Sequence, residues 1–145
     1  VNYSFTDMRA AGGHLHISFE DANSNQLNRV KLVKALDMEL GVPSVILDPD
    51  KGRRMIYGKA GAHRPKFQER DGYDGVEYRV LSNFWLMSEE LMSFIFNKVE
   101  KCVNNLEELS NKADSLKDMI VSSINSSDKD LALKICEEYN VQYSW

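Results

Sequence analysis

Apolar and polar positions alternate over residues 12–20, Gly-Gly-His-Leu-His-Ile-Ser-Phe-Glu. Leu15, Ile17 and Phe19 fall on one side; His14, His16, Ser18 and Glu20 fall on the other. This predicts a half-buried strand with a polar, histidine-bearing face. A polar turn over 21–25 leads into a predicted helix over 25–40, with Leu27, Val30, Val33, Leu36 and Leu40 as its apolar stripe. Gly41 is the expected C-terminal stop, and Pro43 lies just beyond it. Val45-Ile46-Leu47 reads as a short strand or the approach to one, closed by the turn Asp48-Pro49-Asp50-Lys51-Gly52. Residues 53–74 are polar, basic and glycine-punctuated, as in a long ordered loop that binds something.

Alternation returns over 75–81, where Glu77 and Arg79 share one face and Val76, Tyr78 and Val80 the other. After Asn83-Phe84-Trp85 the period becomes helical. Ser88-Glu89-Glu90 caps a predicted helix over 88–104, with Leu91, Met92, Ile95, Phe96, Val99 and Cys102 inward. A further helical stretch uses Leu106, Leu109, Ala113, Leu116, Met119 and Ile120. A last one, after Ser126-Ser127-Asp128, uses Leu131, Ala132, Ile135 and Tyr139.

At 145 residues and 43% hydrophobic, the chain suffices for one compact domain or part of a larger one. A net charge of −4 gives no basic field for non-specific nucleic-acid binding, although basic groups cluster over 51–70 and leave room for a small anion. Cys102 and Cys136 match no zinc or redox spacing and are expected as buried free thiols in a reducing compartment. With no apolar run of membrane length and no signal-peptide pattern, a cytoplasmic location without membrane partners is expected.

Three features carry chemistry. His14-Leu15-His16 follows Gly12-Gly13, so two imidazoles stand about 7 Å apart on one strand face beside backbone that a ligand can approach closely. One can bind a metal while its neighbour meets a ligand; a merely hydrogen-bonded pair is the plain alternative. Glu77 and Arg79 can hold a divalent cation and a phosphate or carboxylate, or form an ordinary strand-face ion pair. Arg53, Arg54, Lys59 and Arg64, with Gly58 and Gly61, can fold around an anion, or remain solvated loop charge. Their spacing fits neither a P-loop nor a dinucleotide fingerprint. Together the three match what phosphoryl transfer to a carboxylate requires.

The ordered set Arg9-Ala10-Ala11-Gly12-Gly13-His14-Leu15-His16-Ile17-Ser18, Leu36-Asp37, Leu47-Asp48-Pro49-Asp50, Arg54-x-x-Tyr57-Gly58-Lys59-Ala60-Gly61-x-x-Arg64-Pro65-Lys66 and Gly75-Val76-Glu77-Tyr78-Arg79-x-Leu81-Ser82-Asn83-Phe84-Trp85 resembles the phage-type COOH–NH2 ligases, or amidoligases. These are relatives of glutamine synthetase and glutamate–cysteine ligase, and the likeness spans roughly residues 9–95. It implies an α+β fold: part of a glutamine-synthetase-like antiparallel sheet with helices on one face and a C-terminal helical tail. Residues 1–86 would be the C-terminal half of a ligase domain and 87–145 a helical region packed on it.

The resemblance also implies ATP and Mg²⁺ or Mn²⁺ as cofactors, with His14 and Glu77 as metal ligands. His16, Arg54, Lys59, Arg64 and Arg79 would meet the nucleotide; Arg79 and Arg64 would act in catalysis, Arg64 ahead of Arg54 on the phosphates or substrate. Small-molecule, peptide or protein carboxylates and amines would be the substrates.

The family carries further metal-binding glutamates before the His-x-His strand, whereas thirteen residues precede His14 here. The chain, which opens on Val1, is therefore expected to be a C-terminal portion, or to be completed by a homo-oligomer or second chain, with little activity alone. Two other readings stay open: a non-catalytic binding or structural module, possible in a phage, and a metal-dependent hydrolase that would act without ATP.

Overall fold

The computed structural model describes residues 10–11, 13–18, 26–50, 52 and 57–145. Its fold is α+β. Four antiparallel strands, β1 (Ala10–Ala11), β2 (His14–Ser18), β3 (His63–Lys66) and β4 (Gly75–Tyr78), stand in the order β1-β2-β4-β3. The expected alternation sets their faces: Leu15, Ile17, Val76 and Tyr78 are fully buried against the helices, while His14 and His16 face the other way. Gly13, before β2, has φ +93°, and a Cβ there would stand 2.1 Å from the Ser82 carbonyl oxygen. Only glycine fits that approach. Trp85 Nε1 then donates to the Gly13 carbonyl at 3.2 Å, fixing the entry to β2. Gly12, Phe19, Glu20, the 21–25 turn, Lys51, Arg53 and Arg54 lie outside the described residues.

The helices depart from expectation at one place in particular. Helix α1 (Gln26–Leu36) does not end at Gly41: it passes through a π-helical turn, Asp37–Gly41, into α2 (Val42–Leu47). Val45-Ile46-Leu47 is therefore helical, not a strand. Pro43 sits in the first turn of α2, directly after the π-helical turn, in a helix whose backbone stays right-handed through Gly41 and Val42. Gly41 is right-handed, and its role is close packing: a Cβ there would meet Ile124 Cδ1 at 2.7 Å and the Tyr78 hydroxyl at 3.1 Å. The buried face of α1 also differs. Leu27 is exposed, and Arg29 is buried with Leu32, Val33, Ala35 and Leu36. Arg29 donates to the carbonyls of Gly75 (3.1 Å) and Lys66 (2.9 Å) and lies over the Phe67 ring, tying α1 to the turn between β3 and β4.

The expected 53–74 loop contains β3 and one helical turn, α3 (Gln68–Asp71). Pro65 disguises β3 as a loop, and β3 is an edge strand, where a missing N–H is tolerated. A 3₁₀ turn (Asn83–Met87) leads to α4 (Glu89–Asn104), capped by Ser88, whose hydroxyl accepts from the Leu91 N–H at 3.1 Å. Of α4's expected inward positions, Phe96 is partly exposed, and Phe94, Lys98 and Val103 are buried instead. The stretch after it is two helices, α5 (Leu106–Ser115) and α6 (Lys117–Asn125), and Asp128 caps α7 (Lys129–Glu138). One continuous core runs from Leu15 and Tyr78 to Ile135 and Val141. Both cysteines are free and buried; burial pushes the Cys136 thiol up to about 11 and Cys102 higher still. Among the described residues, no helix is long and apolar enough to cross a membrane.

Candidate active site

The register of the sheet collects the sequence-derived candidates. His16 pairs with Glu77 across β2 and β4, and Arg64 pairs with Glu77 across β3 and β4. Three strands therefore contribute to one row. His14, Lys66 and Arg79 lie two residues along their strands from that row, on the same face.

Glu77 is the hub. Arg79 NH1 donates to its Oε1 at 2.9 Å, and His14 Nδ1 lies 3.4 Å from the same oxygen. Lys66 Nζ and Arg64 NH1 lie 3.4 Å and 3.9 Å from Oε2. Burial works against ionisation of Glu77, but the charges of Arg79 and His16, with the charge and hydrogen bond of Lys66, outweigh it. The carboxyl is held below the usual glutamate range.

Two tyrosines, given no role by sequence reasoning, complete the face. Tyr57 stacks on His14 with ring centroids 5.6 Å apart; its hydroxyl lies 2.7 Å from His14 Nε2 and accepts from Arg79 NH2 at 2.8 Å. Tyr73 Oη lies 3.3 Å from His16 Nδ1. Lys66 was detectable in principle, since it repeats Arg64 at strand period. Tyr73 carries no local signal, because only the fold brings it to β2.

Lys59 is exposed in the turn before β3, and among the described residues its side chain meets no partner. Arg54 lies outside the described residues. His63 faces the other side of the sheet, with Nδ1 2.7 Å from the Gly61 carbonyl oxygen.

Arg64, Lys66 and Arg79 set three cations against one carboxylate, with Asp71 at the margin 3.9 Å from Lys66. Such a face favours an anion with more than one negative charge. As cation ligands, His14 Nδ1 and Glu77 Oε1 stand at a separation that two donors of one ion can have, with donor–metal distances near ~2.1 Å. Among the described residues no group of three or more His, Cys, Asp or Glu side chains joins them. A cavity of about 450 Å³ lies elsewhere, lined by Phe94, Lys98, Lys101 and Trp145 among others. It shares no residue with this face, where hydrogen-bonded cations converge.

The family model described as phage phiEco32-like COOH.NH2 ligase-type 2 matches residues 5–140. Searches of curated proteins and of solved structures return no match.

Proposed function

The chain belongs to the phage phiEco32-like COOH–NH2 ligase family, type 2, and from that premise we propose that it serves an ATP-dependent reaction joining a carboxylate to an amine. The observation that carries this reading is the surplus of cations around Glu77, with Arg64 and Arg79 reaching solvent. A free carboxylate is a poor electrophile toward an amine. In the proposed reaction a substrate carboxylate oxygen attacks the γ-phosphorus of ATP, and the bond to the bridging oxygen breaks, leaving ADP. The amine then attacks the acyl carbon, phosphate departs, and the amine proton is lost. Arg64, Lys66 and Arg79 offset the charge of the phosphates, and the Arg79 fork can follow that charge as it shifts.

Glu77 holds Arg79 and Lys66 in position. With His14 it would also hold the Mg²⁺ or Mn²⁺ that such nucleotides carry, an ion that supplies further charge neutralisation when bound. His16, steadied by Tyr73, stands on the nucleotide side. A second reading, a binding module that keeps this face without turnover, draws support from the two-donor ligand set.

Calorimetric titration with a non-hydrolysable ATP analogue and Mg²⁺ or Mn²⁺, alongside ADP release from ATP, separates the two. Metal-dependent binding that disappears in Glu77→Ala, with ADP release on adding amine and carboxylate, is expected of the ligase. Binding without ADP release, also when a second chain completes the site, points to the module, and no binding in either form overturns both.

A further inference from the structure

We propose that Tyr57 is a positioning residue of the charged face, its hydroxyl holding the Arg79 guanidinium and the His14 imidazole in register with one another. The proposal rests on reading this face as the phosphate-gripping surface of the ligase. Four side chains close a ring. Glu77 Oε1 accepts from Arg79 NH1 at 2.9 Å, and Arg79 NH2 donates to Tyr57 Oη at 2.8 Å. Tyr57 Oη lies 2.7 Å from His14 Nε2, and His14 Nδ1 returns to Glu77 Oε1 at 3.4 Å.

An arginine grips an anion with two parallel N–H groups only when its plane is fixed. Glu77 fixes one edge of the Arg79 plane and Tyr57 the other, which leaves further N–H groups of the fork for a ligand. The hydroxyl suits either proton arrangement of His14. Having accepted from Arg79, it can donate to a bare Nε2 or accept from Nε2–H, so the imidazole plane is held whichever nitrogen carries the proton. Core burial does not account for the tyrosine, because 38% of Tyr57 is exposed. Its ring lies on His14, and the Arg79 guanidinium carbon sits 5.8 Å from the ring centroid. Both groups that Tyr57 steadies are residues assigned above to the site.

Tyr57→Phe keeps the ring and removes only the hydroxyl, so it separates positioning from packing. The chain has three histidines, and a His14→Gln control identifies the ring ¹⁵N signals of His14. Two readouts are compared between the wild-type chain and Tyr57→Phe: those signals, and the affinity for inorganic tripolyphosphate by calorimetry. The expected result is a shift of the His14 Nε2 signal with His63 unmoved, an affinity loss of about tenfold from one hydrogen bond to a charged group, and an unchanged melting midpoint. His14 signals that stay in place, or an affinity within about twofold of wild type, overturn the proposal. A wild-type chain that binds neither tripolyphosphate nor ATP overturns the ligase reading instead. The His14 signals then decide alone: if they move, Tyr57 holds the imidazole, and if they do not, it has no positioning role.

Discussion

Glu77 and Glu39 are both buried carboxylates met by basic side chains, yet they differ in what their cations can still reach. Around Glu77 both oxygens have partners, and the Arg64 side chain is 58% exposed. Glu39, in the π-helical turn between α1 and α2, is fully buried; its Oε1 takes both Lys98 (3.2 Å) and Lys101 (2.8 Å). Its Oε2 is buried with no hydrogen-bond partner among the described residues. Lys98 is buried too, and desolvation pulls its ammonium below the usual lysine range despite the opposing charge of Glu39. A buried carboxylate with counter-ions thus does not by itself mark a site. At Glu77 three cations, two from β3 and one from the end of β4, meet one carboxylate, and Arg64 is mostly open to solvent; at Glu39 two lysines of one helix share a single oxygen and hold α4 to the π turn, Lys98 buried and Lys101 partly exposed.

The largest expected effect lies on the Glu39 side. Lys98→Ala leaves a fully buried carboxylate with one partly exposed lysine, and a stability loss of about 3 kcal/mol in urea unfolding is expected. The folded fraction should still bind tripolyphosphate as wild type does. A loss of binding in that fraction would join the two regions and end the contrast drawn between them. Next in size, Arg79→Lys keeps the charge and removes the fork. Turnover, measured as ADP release, should fall tenfold or more, about 1.4 kcal/mol or above, with stability unchanged within about 0.5 kcal/mol. Equal turnover in the lysine variant would reduce Arg79 to a point charge. Smaller still, Cys102→Ser places a hydroxyl at a fully buried position of α4 and should cost about 1 kcal/mol, with tripolyphosphate affinity unaltered.

The Glu77 face was largely legible in the sequence because strand alternation is local: once His14, His16, Glu77 and Arg79 are assigned to strands, their faces follow. The antiparallel register then does what no local signal could, setting Arg64 and His16 on either side of Glu77. Tyr57 and Tyr73 escaped because their partners lie 43 and 57 residues away. The Glu39 region was misread for the opposite reason. Gly41 and Pro43 carry strong local stop signals, but Gly41 packs closely on Ile124 and Tyr78 in right-handed backbone, and Pro43 sits in the first turn of the next helix. Tertiary packing overrode local punctuation there, and the buried pairing of Lys98 with Glu39, which spans 59 residues, left no trace in periodicity.

The smallest expected effect, and the most direct on the comparison, is in pH. Glu77 is ionised more readily in the folded than in the unfolded chain, so below the ordinary glutamate value of about 4.3 the unfolded state holds more protons. Its contribution to stability is therefore complete above that value and lost as pH falls through the folded pKa. Lys98 is also shifted down, but for a base the same direction has a different meaning. Between its folded pKa and about 10.4 the unfolded state again holds more protons, so stability gains from Lys98 as pH rises through that window.

Unfolding curves of wild type and Glu77→Gln should thus differ at neutral pH and converge in acid. Wild type and Lys98→Met should instead change their separation in the alkaline range. If the Glu77→Gln curve runs parallel to wild type down through the acid range, the cations around Glu77 do not stabilise its charge. The face would then resemble the Glu39 cluster in having cations nearby, without being organised around a carboxylate at all.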